Sequence, residues 1–68
     1  MPELRALAKN TKAKRKEMRE SQLTFAINCG LCEDEISDIE NQKTDPKLST
    51  IQSIAAYVGL TVSDLLKM

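Results

Sequence analysis

Apolar residues recur along this chain in short stripes at helical spacing, and the stripes with their polar boundaries predict five helices. The first runs from about Leu4 to Met18, where Leu4, Leu7, Ala8, Thr11 and Met18 form a sparse apolar stripe among charges. Ser21 is placed to cap a second helix whose inner face is Phe25, Ala26 and Cys29, and Gly30 supplies the left-handed residue that ends it. Leu31 fills the turn. A third helix begins near Glu33 and buries Ile36 and Ile39; the polar, proline-bearing segment Asn41 to Lys47 then reads as a loop. Ser49 and Gln52, three residues apart, predict a capping box for a fourth helix that turns Ile51, Ile54, Ala55 and Val58 inward until Gly59 stops it. Thr61 and Asp64 cap a last turn holding Leu65 and Leu66. The segment from Ser21 to Asn41 is thus two short helices joined by one tight turn, the arrangement that lets a protein lay a helix against DNA.

Composition narrows the class. The 68 residues are 41% hydrophobic with two Gly, two Pro and one each of Tyr and Phe, which suits a small all-α bundle better than a sheet or a disordered tail. A chain of this size buries only about 60% of its unfolded surface, so subunit association could add stability and an enzyme cleft is not expected. No apolar run approaches the roughly 18 to 20 residues of a membrane span, and Met1 to Arg5 lacks the apolar block of a signal peptide, so a cytoplasmic protein is expected.

Charge changes the picture more. The net charge is zero, yet residues 1 to 20 hold seven Lys/Arg against three Asp/Glu, residues 21 to 40 hold none against five, and residues 41 to 68 hold three against two. The basic first third is either a phosphate-contacting face or a solvated helix surface. The third helix carries Glu33, Asp34, Glu35, Asp38 and Glu40 with no cation.

Taken together, Ser21-Gln22, Phe25-Ala26, Gly30-Leu31, Ile36-Ser37, Ile39-Glu40-Asn41, Lys43, Pro46, Leu48, Ile51, Ile54-Ala55, Val58-Gly59-Leu60 and Asp64-Leu65-Leu66 resemble the Cro and phage-repressor helix-turn-helix superfamily, also called XRE. The resemblance covers roughly residues 11 to 66, which divides the chain into 1–10, an N-terminal extension of the first helix, and 11–68, the helix-turn-helix domain. It implies a compact five-helix bundle that binds double-stranded operator DNA as a homodimer and controls transcription, without a cofactor or a metal. The recognition helix would be about 33–41.

The same resemblance assigns roles. Gln22, at the start of the second helix, would contact phosphate and brace the recognition helix; a helix N-terminus is an anion site in any case. Asn41, Lys43 and Lys47 would touch phosphates, and Glu33, Asp34, Ser37 and Asp38 would face the bases. A helical wheel agrees, since at about 100° per residue the face opposite Ile36 and Ile39 centres on Asp34, Ser37, Asp38 and Asn41. Arg15 and Glu40 match a family pair that forms a structural salt bridge between the first and third helices.

The chain departs from the family in three ways. Acids stand where relatives often carry Gln, Ser, Arg or Thr; a carboxylate can accept from cytosine N4 but repels phosphate. Cys32 takes a capping position where Ser or Thr is commoner. Arg19-Glu20 replaces a Gly and apolar pair, which predicts a looser junction between the first two helices. Cys29-Gly30-Leu31-Cys32 is a Cys-x-x-Cys motif, but no preceding strand supports a redox site, and two Cys with no His cannot fill a tetrahedral metal site from one chain. Packing is the expected role, with Cys29 buried and Cys32 partly exposed. Two functions from different classes follow. One is a sequence-specific DNA-binding regulator; the alternative is a protein-interaction module whose acidic third helix docks on a basic partner. Tyr57, Leu60, Val62, Leu66 and Met68 are candidates for a dimer surface, or equally for core.

Overall fold

A computed structural model describes residues 2–67. It contains α1 (Pro2–Glu17), α2 (Gln22–Cys29), α3 (Glu33–Glu40), α4 (Leu48–Val58) and α5 (Val62–Leu65), with no strand among the described residues. The extents are 26 × 22 × 20 Å. No helix of the described residues is long and apolar enough to cross a membrane.

The core is Leu7, Phe25, Ala26, Ile36, Ile39, Ile54, Ala55 and Leu65, one or two residues from each helix. Phe25 sits at its centre, fully buried, with its ring edge-on to Tyr57 at a centroid distance of 5.4 Å. Such aromatic pairs add roughly 0.5 to 1.5 kcal/mol beyond area burial. Leu7 comes from the N-terminal half of α1, which runs without a break from Pro2 to Glu17.

Two helix starts show opposite outcomes. The Ser21 hydroxyl caps α2 by accepting from the Thr24 N–H at 3.1 Å, and Gly30 closes that helix at φ 78°. The expected Ser49–Gln52 box does not form: α4 begins at Leu48, with Lys47 as its cap residue and no side-chain cap bond. Ser49 lies inside the helix, where its carbonyl accepts from the Ser53 hydroxyl at 3.0 Å. The helix starts two residues too early for Ser49 to hold the extended conformation that a cap needs. At the other end Gly59, also at φ 78°, stops α4, and the Thr61 hydroxyl caps α5 through the Asp64 N–H at 3.0 Å.

α1 stops at Glu17, one residue before Met18, which is 36% exposed and packs in no core. Ala6, outside the expected stripe, is fully buried. One turn further on, the Asn10 amide donates to the Leu65 carbonyl at 2.8 Å and the Lys67 carbonyl at 2.6 Å, so the end of α5 covers this flank of α1.

The junction between α1 and α2 is tied. Arg19 turns the chain at φ 58°, and Glu20 is half-buried. The Tyr57 hydroxyl donates to Glu20 Oε2 at 2.6 Å and the Asn28 amide donates to the Tyr57 oxygen at 2.9 Å, while the Glu20 carbonyl accepts from Arg15 Nη1 at 2.9 Å. Where the resemblance implies an apolar residue, Glu20 anchors the junction by hydrogen bonds instead, so the looser junction expected there does not form. Of the expected dimer candidates, Tyr57, Leu60, Val62 and Leu66 are half-buried against the core; Met68 lies outside the described residues.

Candidate nucleic-acid interface

α3 is held from three sides and left free on the fourth. Ile36 and Ile39 bury its inner face. Its N-terminus is fixed by Glu35, whose carboxylate accepts from the Cys32 N–H at 3.2 Å, the reciprocal half of a capping box. Its C-terminus is fixed through Glu40. Arg15 Nε donates to Glu40 Oε2 at 2.8 Å and Nη2 to Oε1 at 3.1 Å, and the Gln22 amide donates to Oε1 at 3.2 Å. The Glu40 side chain is 3% exposed and that of Arg15 13%. The hydrogen bonds that Arg15 donates to Glu40 hold its guanidinium above its ordinary pKa against the opposing effect of burial.

The structure therefore divides the acids of α3. Glu40 is withdrawn beneath Arg15 and structural. Glu33, Asp34 and Glu35 are exposed, and Ser37 and Asp38 half-buried. Gln22 is half-buried and turned toward Glu40, which suits bracing. The Asn41 amide folds back onto α3 and donates to the Ser37 carbonyl at 2.9 Å. Lys43 and Lys47 are exposed just beyond α3, and the Lys43 N–H donates to the Asp38 carbonyl at 2.8 Å, which sets where its side chain leaves the loop. A groove of about 400 Å³ runs between α3 and the start of α4, with Glu35, Asp38, Asp45 and Lys47 along it.

Three functional contributors escaped the sequence reading. Glu35 had a signal, since Cys32 to Glu35 keeps the spacing of a capping box with Cys in place of Ser. Gln42, at φ 58°, turns the chain directly after α3 and carries no sequence signal. Glu20 was noticed only as a departure. The cysteines are both free, Cys29 half-buried where burial was expected and Cys32 exposed. Burial, with the nearby Glu20 charge, pushes the Cys29 thiol up to about 11.

No protein-family model matches the chain. It is 50% identical over 32 residues to the HTH-type transcriptional regulator DdrOP3 of Deinococcus deserti, covering 47% of this chain and 25% of that protein. It is 36% identical over 52 residues to the immunity repressor protein of Bacillus phage phi105, covering 76% of this chain and 36% of that protein. The chain thus spans about a quarter and about a third of the lengths of these curated relatives. A crystal structure of a hypothetical transcription factor, NHTF, from Neisseria superposes with a TM-score of 0.89 at 31% identity, over 96% of this chain and 75% of that one.

Proposed function

The chain belongs to the Cro and phage-repressor helix-turn-helix superfamily, and from that premise we propose that it is the sequence-specific DNA-binding unit of a transcriptional regulator of the XRE type. The observation that carries this reading is α3 itself: anchored at both ends, buried on one side, and presenting its other side next to Lys43 and Lys47. In this reading α3, about residues 33–41, enters the major groove. Lys43 and Lys47 meet phosphates, Asn41 exchanges its bond to Ser37 for one, and Gln22 stands at the α2 N-terminus where backbone N–H groups favour an anion. Glu33, Asp34, Ser37 and Asp38 face base edges, where a carboxylate accepts from cytosine N4. Two copies, as a homodimer, would read half-sites about 34 Å apart. A DNA partner places the protein in the cytoplasm.

The rival reading, docking of α3 on a basic protein, loses weight because Glu40 is already neutralised within the fold. The test is selection from random duplex libraries at low salt. Enrichment of a short motif containing a C is expected, and Asp34→Asn with Asp38→Asn should raise affinity for random duplex by removing repulsion. Glu33→Gln should relax one C-containing position, at about 1 to 3 kcal/mol. If no sequence is enriched and the Asp34→Asn, Asp38→Asn protein also ignores DNA, the protein-docking reading replaces this one.

A further inference from the structure

Arg5, Lys9, Lys12 and Lys16 are all exposed on α1, and none makes a salt bridge among the described residues. Their spacing of four, three and four residues puts them within an arc of about 60° on the side of the helix away from Leu7 and Thr11. At about 1.5 Å per residue the row is about 16 Å long.

Its position relative to α3 is fixed by the Glu40 junction. The C-terminal end of α1, the start of α2 and the end of α3 all meet there, through Arg15, Gln22 and Glu40. Lys12 is one turn from Arg15 on α1, and Lys43 is three residues beyond Glu40. The row thus approaches the edge of the molecule that carries the proposed phosphate contacts. The apolar residues of α1 cannot serve a membrane surface, since Ala6, Leu7 and Ala8 are all buried in the fold.

We propose that Arg5, Lys9, Lys12 and Lys16 form a second phosphate-contacting surface, through which α1 lies along the backbone of duplex DNA flanking the segment that α3 enters. The inference rests on the DNA-binding reading above. It also accounts for how a recognition helix without a cation approaches a polyanion: attraction comes from α1 and the loop after α3, and the acids of α3 act only in choosing the sequence.

The test is the salt dependence of binding to random-sequence duplex DNA, followed by fluorescence anisotropy. Each phosphate contact contributes a slope of about −0.9 in log affinity against log salt. A variant with Arg5→Gln, Lys9→Gln, Lys12→Gln and Lys16→Gln should bind with a slope shallower by about 2 or more, with its melting temperature kept because all four side chains are exposed. Exchanging Lys9, Lys12 and Lys16 for Arg should keep the wild-type slope, and losing it would overturn a contact based on charge. An unchanged slope in the Gln variant overturns this inference and leaves the α3 reading standing. A wild-type protein that binds no duplex at any salt overturns both. A salt-sensitive self-association that the Gln variant loses, with its DNA slope unchanged, would reassign the row to the acidic α3 of a second copy.

Discussion

Arg15 pairs its charge with Glu40 inside the protein, and the consequence is measurable at single-residue scale. With the side chains 13% and 3% exposed, Arg15→Ala strands a buried carboxylate and should cost about 2 to 4 kcal/mol of stability in a denaturant titration; an unchanged midpoint would contradict a structural pair. Thr11 is the converse case. Its hydroxyl is fully buried without a hydrogen-bond partner among the described residues, so Thr11→Val should stabilise by about 1 kcal/mol, and a loss of stability would mean that the hydroxyl has a partner. The single tyrosine reports on Glu20. The hydrogen bond to that carboxylate and burial push Tyr57 above its ordinary value of 10.0, so this contribution to stability is present at lower pH and is lost as pH rises through the raised value. Glu20→Gln should bring the tyrosinate absorbance midpoint down toward 10.0. No movement would detach Tyr57 from Glu20.

Helix boundaries were legible where a side chain or a glycine makes them. Ser21, Gly30, Gly59 and Thr61 each act through their own chemistry, an acceptor oxygen or a free φ, and the structure puts each where the spacing predicts. The start of α4 was not legible, because Lys47 caps it with backbone alone while Ser49 and Gln52 imitate a box two residues too late. The polar ties Asn10–Leu65 and Glu20–Tyr57 join residues 55 and 37 positions apart; only the approach of whole helices creates them, so nothing local announced them. Arg19 and Gln42 end α1 and α3 in the left-handed region that favours glycine, both at φ 58°. Arg19→Gly should therefore stabilise by about 1 kcal/mol, by thermal melting, and a lower melting temperature would show that the side chain does more than strain the turn.

At the scale of the molecule, the chain separates attraction from selection. Eight of its ten cations lie on α1 and in the loop after α3, while α3 carries five acids and no cation, with a net charge of zero. The candidate site was legible as a set of positions, because the turn at Gly30 and the inward pair Ile36 and Ile39 orient α3 unambiguously. What each position does was unevenly legible: the structure has Glu40 paired with Arg15 as the resemblance implies, whereas nothing in the sequence announced that Asn41 folds back on Ser37. The central claim is that the outer side of α3 meets DNA. Titrating the isotope-labelled protein with a duplex carrying the selected sequence, and following backbone amide shifts by NMR, tests it most directly. The account predicts the largest changes at Glu33, Asp34, Ser37, Asp38, Asn41 and Lys43, with α5 undisturbed. Changes confined to α4 and α5, with α3 silent, would contradict it.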